Sequence, residues 1–93
     1  PITFELNQNY PNPFNPTTEI SFILNMSDNI SLVIYDINGR KVKELVNGYM
    51  QKGSYEFSWN STDDYGRKMP SGLYIYQLIS SDTIESKKML LLK

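Results

Sequence analysis

Ninety-three residues, 40% of them apolar, with a net charge of −1, make one small globular domain. This balance points away from nucleic acid and anionic membrane surfaces, and no apolar run reaches the length of a membrane span. The chain has no Cys and no His, which removes Cys/His nucleophiles, the Ser-His-Asp triad, the common zinc sites and disulfides.

A chain of this length buries only roughly 60–65% of the surface its unfolded form exposes, so its stability should be modest. Seven Tyr, four Phe and one Trp supply bulk for the core. A start on Pro1 rather than Met is expected of a segment of a longer protein whose own targeting signal lies upstream.

The first distinctive stretch is Tyr10, Pro11, Asn12, Pro13, Phe14, Asn15 and Pro16. Proline fixes φ, donates no backbone hydrogen bond and biases its predecessor toward extended conformations. Residues 1–17 are therefore expected as an extended, polyproline-like lead-in, with the Tyr10 and Phe14 rings available to pin it. From Thr18 to Leu24 the pattern alternates as a strand does, with Ile20, Phe22 and Leu24 on one face. Asn25 to Asn29 reads as a polar turn. Ile30 to Ile37 is apolar on both faces, as in a central strand.

Asn38-Gly39 separates that run from Lys41 to Val46, and a two-residue Asn-Gly loop predicts a type I′ hairpin with φ > 0 at both positions. Asn47-Gly48 closes the return strand. Ser54 to Trp59 alternates, placing Tyr55, Phe57 and Trp59 on one face. Asn60 to Gly72 is the longest irregular stretch. Leu73 to Ser80 and Ile84 to Lys93 are the last strands, joined by a turn at Ser81-Asp82-Thr83. The pattern predicts an all-β chain, an immunoglobulin-like sandwich of about seven antiparallel strands over residues 18–93, without an internal repeat.

Candidate chemistry is sparse. Asp63 and Asp64 could bind Ca²⁺, but their spacing does not match an EF-hand loop, and Asp in a Gly-containing loop usually hydrogen-bonds its own backbone. The turn reading outweighs the metal one, and no metal or cofactor is expected. Tyr10, Tyr49, Tyr65, Tyr74 and Tyr76 could form a sugar-stacking face, although tyrosine is also an ordinary strand residue. Three glycosylation sequons, beginning at Asn25, Asn29 and Asn60, carry little weight in a chain rich in Asn and Ser. Nothing supplies a base near neutral pH, so no enzymatic activity is expected.

Four stretches in order, "YPNPFNPTTEISF", "VIYDINGRKVKELV", "GSYEFSWNSTDDYGRKMPSGLYIYQL" and "KKMLLLK", closely resemble the type A C-terminal sorting domain of the type IX secretion system. The resemblance runs from about Phe4 to Lys93. That family is similar, more distantly, to the immunoglobulin-like module of the flagellar hook-capping protein. The resemblance implies a seven-stranded β-sandwich at the end of a large protein secreted by Gram-negative bacteria. It implies passage through the periplasm to the cell surface or medium. The implied partners are the outer-membrane translocon and its shuttle protein, a sortase-like cysteine peptidase at the upstream junction, and the fused cargo domain.

By position, Tyr10 to Pro16 is the family's lead-in motif, a stiff spacer between cargo and signal. Asp36, Asn38, Gly39 and Arg40 form its hairpin signature, and Gly66 with Ser71-Gly72 marks its long loop. Lys87, Lys88, Met89, Leu90, Leu91, Leu92 and Lys93 are its terminal strand, the expected partner-binding segment. Where many members have Trp-Asp-Gly, this chain has Trp59-Asn60-Ser61. A strand at a chain end can be bound through main-chain hydrogen bonds, with alternate side chains giving specificity. The alternative function is an immunoglobulin-like accessory module that binds carbohydrate or a neighbouring domain. A fixed terminal strand, which an accessory module does not need, separates the two.

Overall fold

The computed structural model describes residues 4–93. Within these residues seven antiparallel strands form two sheets: β1 (Phe4–Leu6), β2 (Thr18–Leu24), β3 (Asp28–Asp36), β4 (Lys41–Met50), β5 (Gly53–Trp59), β6 (Gly72–Ile79) and β7 (Ile84–Leu91). One sheet has the order β1-β2-β5 and the other β4-β3-β6-β7. The chain is an all-β immunoglobulin-like sandwich, as the strand spacing predicts.

The two inner faces meet through alternate residues. β2 buries Ile20, Phe22 and Leu24, β3 buries Ile30, Leu32 and Ile34, and β6 buries Tyr74, Tyr76 and Leu78. Trp59 is 1% exposed. Its ring lies 5.3 Å from Tyr74, edge-on, and 5.8 Å from Phe14. Phe22 stacks between Tyr55 and Phe57, at 5.5 and 6.0 Å. Aromatic side chains thus form two groups along the core, one around Trp59 that joins both sheets through Tyr74 and one around Phe22 on the three-stranded sheet.

Several local expectations need correction. Phe4–Leu6 is a strand, and Phe4 and Leu6 are buried in the core. The lead-in does not run as a polyproline helix: it bends at residues 11–13 and 15–16, and the peptide bonds preceding Pro11, Pro13 and Pro16 are cis. Buried hydrogen bonds, described below, fold it back onto the sheets. Phe14 pins it, but Tyr10 does not, being 79% exposed.

β4 does not stop at Val46. It continues through Asn47-Gly48, which pair with Ser31 and Ile30, because β3 begins early enough to extend the ladder. Ile37 is not a strand residue; it sits in the hairpin loop, exposed. The tyrosine face does not exist as a unit, since Tyr74 and Tyr76 are buried.

Candidate functional site

β7 forms one edge of the four-stranded sheet, and its outer side is where the two ends of the chain meet. Met89 and Leu91 point inward and are buried, which fixes the strand on the core. Lys88, Leu90 and Leu92 alternate to the other side. The lead-in then runs along the edge. The Phe14 amide donates to the Leu90 carbonyl and the Leu92 amide donates to the Phe14 carbonyl, both at 3.0 Å. The Leu90 amide donates to Asn12 Oδ1 at 2.9 Å, and Gln8 Nε2 donates to the Lys88 carbonyl at 2.7 Å. Two of the predicted segments, Tyr10 to Pro16 and Lys87 to Lys93, therefore lie side by side as one surface.

This changes how the last strand can be read. Main-chain groups from the Lys88 carbonyl to the Leu92 amide already have partners, so strand addition is closed along that stretch. What remains for a partner is side chains: Lys88, Leu92 and Lys93, which are exposed, and Leu90, which is half-buried.

Residues that carry no motif hold the lead-in in place. Asn9 is buried, and its Nδ2 donates to Thr18 Oγ1 at 2.9 Å and to the Pro11 carbonyl at 3.2 Å. Thr18 Oγ1 donates to the same Pro11 carbonyl at 2.8 Å. The Tyr76 hydroxyl accepts from the Asn9 amide at 2.8 Å and donates to the Asn7 carbonyl at 2.7 Å. Burial pushes that hydroxyl up to about 12, against the Asn9 amide, so it stays a neutral donor. The sequence signal for Asn9 and Thr18 was only their polarity beside a proline run.

The hairpin signature is a turn with a different geometry from the predicted one. Gly39 has φ +84°, but Asn38 does not have positive φ, so the turn is not type I′. The Gly39 amide donates to the Asp36 carbonyl at 3.0 Å and the Asp36 amide to the Arg40 carbonyl at 2.9 Å. This is a three-residue loop closing on a left-handed glycine. The Asp36 carboxylate selects it: Oδ1 accepts from the Asn38 and Arg40 amides at 2.9 Å, and Oδ2 pairs with Arg40 Nε at 3.3 Å. The Arg40 amide chiefly holds the Asp36 carboxyl below the usual carboxylate range. Desolvation opposes it, and the Asn38 amide and the guanidinium add to it.

The same five-residue pattern recurs at Asp63-Asp64-Tyr65-Gly66-Arg67. Gly66 has φ +83° and its amide donates to the Asp63 carbonyl at 3.0 Å. Asp63 Oδ1 accepts from the Tyr65 amide at 2.9 Å and the Arg67 amide at 2.8 Å, and Oδ2 pairs with Arg67 Nε at 2.9 Å. Desolvation pushes this carboxyl up, but the Arg67 and Tyr65 amides and the guanidinium together outweigh it and leave it lowered. Asp64 binds the edge of β4: its amide donates to the Val42 carbonyl at 3.0 Å, and its Oδ1 accepts from the Glu44 amide at 3.1 Å. Both carboxylates raised as calcium ligands are thus employed in loop structure.

Ser61, at the position where glycine is usual in the resembling family, has φ +68° and is buried. Its hydroxyl donates to the Pro16 carbonyl, and its own carbonyl accepts from the Met69 amide at 2.8 Å. The loop keeps a left-handed residue there despite the Cβ.

Residues 7–83 match the FlgD Ig-like domain family. The chain belongs to that family. No curated protein sequence matches it. Among solved structures, this FlgD-type Ig-like domain superimposes on part of dimeric latent PorU from Porphyromonas gingivalis with a TM-score of 0.74 and 25% identity, over 96% of the domain and 9% of PorU. It also superimposes on part of PorZ, an essential surface component of the type IX secretion system of the same bacterium. There the TM-score is 0.66 and the identity 22%, over 92% of the domain and 11% of PorZ. FlgD from P. aeruginosa aligns with a TM-score of 0.61 and 29% identity, over 80% of the domain and 58% of FlgD. The domain therefore spans about a tenth of PorU and PorZ and under two thirds of FlgD. The family match ends at Thr83, one residue before β7.

Proposed function

We propose that this domain is a type A C-terminal sorting domain of the type IX secretion system. It directs a larger cargo protein across the outer membrane and takes no part in catalysis. The observation that carries this reading is the joining of the lead-in motif to the last strand, since the two most distinctive segments of the sequence meet as one surface. The likeness to a segment of PorU over nearly the whole domain supports it. Met89 and Leu91 anchor the strand, while Lys88, Leu90, Leu92 and Lys93 face the translocon or its shuttle protein. The cargo precedes the lead-in, where a sortase-like cysteine peptidase would act, and the domain travels through the periplasm to the cell surface or medium.

Fusing residues 1–93 to a folded reporter behind a signal peptide, in a host with this secretion system, tests the reading. The reporter is expected outside the cell, and removal of Met89 to Lys93 should leave it in the periplasm. Because deletion can unfold the domain, Lys88→Glu and Lys93→Glu are the sharper variants. Exposed charge changes usually shift stability by no more than about 0.5 kcal/mol, so both should fold and yet reduce export. Periplasmic retention of the intact fusion would defeat the proposal. The family membership then favours the second reading, an accessory module that binds a neighbouring domain.

A further inference from the structure

The two outer faces of the sandwich differ in chemistry. On the three-stranded sheet the outward positions include Glu5, Glu19 and Glu56 among serines, with no Lys or Arg. On β3, β6 and β7 the outward positions include no Asp or Glu and a single cation, Lys88. The register places Tyr35, Ile75 and Lys88 in one row across the three strands, with Leu73 and Leu90 paired beside it. Ile37 hangs over this face from the hairpin loop. It is 70% exposed and Leu73 44%.

Ile37, Leu73, Ile75 and Lys88 line a cleft of about 230 Å³. Among the described residues the Lys88 ammonium has no ion-pair partner; the neighbouring pair is Lys87 with Glu85. An exposed apolar patch around one uncompensated charge is a common form of interaction surface.

We propose that the outer face of the β3-β6-β7 strands docks a protein segment presenting one Asp or Glu carboxylate between apolar side chains. The apolar flanks cover the cleft, and the carboxylate meets Lys88. As that contact loses water it becomes a charge-assisted hydrogen bond, stronger than a neutral one. A cation at the same position would be left beside Lys88 without compensation, which gives selectivity by repulsion. A second copy of this domain is the wrong occupant. Face-to-face packing brings two Lys88 ammoniums together, and the carboxylate that β4 adds to this side of the sheet, Glu44 in register with Val33, is already paired with Lys41 at 3.3 Å. The other outer face offers glutamates but little apolar surface. Assigning the partner to the export machinery rests on the sorting reading; the docking chemistry does not.

The test uses the ¹⁵N-labelled domain and three synthetic nonapeptides of identical apolar flanks, with Glu, Gln or Lys at the centre. The Glu peptide is expected to shift the amides of Ile37, Leu73, Ile75, Lys88 and Leu90. It should bind at least about tenfold more tightly than the Gln peptide, with the Lys peptide weaker still. Lys88→Glu should reverse the order, favouring the Lys peptide, which a loss of fold cannot do. Shifts mapping elsewhere, or equal binding of all three, would overturn the proposal. So would a concentration-dependent dimer in sedimentation that Leu73→Glu abolishes, because it would give the face to a second copy. If the intact fusion is not exported but the charge preference holds, the sorting reading fails and the docking surface stands.

Discussion

The turns at Asp36 to Arg40 and Asp63 to Arg67 share five positions of pattern and nearly the same hydrogen bonds, yet they do different jobs. The first joins two adjacent strands, β3 and β4, and sits in solvent, with the Asp36 side chain 18% exposed and Arg40 78%. The second has no strand on either side. It is braced by Trp59 Nε1 donating to the Thr62 carbonyl at 2.8 Å, by the Ser61–Met69 hydrogen bond and by Asp64 on the β4 edge. Its Asp63 side chain is 12% exposed. A carboxylate that collects the next amides can therefore shape a turn by itself, but what the turn connects is decided by its neighbours. In the second case the turn also shields an edge: Asp64 takes two main-chain groups of β4 that would otherwise be open to pairing.

The largest way to break this comparison is Trp59→Ala. It removes the ring contacts with Phe14 and Tyr74 and the brace at Thr62, and should cost roughly 3–5 kcal/mol, a large part of the stability of so small a domain. In a variant that still folds, hydrogen exchange should quicken at the Gly66 amide much more than at the Gly39 amide. Equal loss of protection at both would mean that the second turn stands without its base.

The aspartates come next. Asp63→Ala should lower the melting temperature more than Asp36→Ala, because strands β3 and β4 still hold the hairpin closed in the second variant. Both carboxyls are lowered in the fold, so each stabilises the folded state only while it is ionised. That contribution is present above about pH 4, the ordinary range for Asp, and is lost as pH falls through the lower folded-state value. Circular dichroism across this range should show flatter acid profiles for Asp36→Asn and Asp63→Asn than for the parent. A steeper profile in either would contradict the hydrogen-bond assignment.

These two turns also show how much a sequence discloses. Strand β2 is legible to the residue because Thr18 to Leu24 alternates and Asn25 does not continue it. The hairpin's place is legible from Asn38-Gly39, but its type is not, since the deciding group is the Asp36 side chain outside that dipeptide. The second turn was equally open to reading, with Asp, Gly and Arg at the same spacing, but no alternating strands flank it to draw attention. Strand β1 is three residues long, too short for any period to declare itself. The site was legible in its parts. Phe14 and the last strand each carry a signal, but hydrogen bonds between residues 78 apart, such as Leu90 to Asn12, are not written in any local pattern.

Gly39 and Gly66 sharpen the comparison from the other side. Their φ values are +84° and +83°, and a Cβ built on either meets nothing within 4 Å. The cost of alanine is then the left-handed backbone alone, about 1–2 kcal/mol at each position. Denaturant unfolding of Gly39→Ala and Gly66→Ala should give equal losses. A larger loss at Gly66 would show that the loop's bracing forbids the small relaxation the hairpin permits.

The smallest effect is expected at Ser61, which leads into the second turn. Its left-handed backbone carries the Cβ cost that glycine avoids, so Ser61→Gly relieves about 1 kcal/mol of steric conflict. The same change removes the hydroxyl that donates to the Pro16 carbonyl, a bond worth about 1 kcal/mol net, and leaves a partly buried acceptor without it. Glycine also adds freedom to the unfolded chain, which counts against the variant. The terms nearly cancel, and the melting temperature should move little in either direction. The informative measurement is local. Pro16 has no amide, so the Thr17 and Thr18 amides should report the lost link by faster exchange while Gly66 stays protected. Loss of protection at Gly66 as well would mean that the serine hydroxyl, and not the Trp59 brace, holds the second turn against the lead-in.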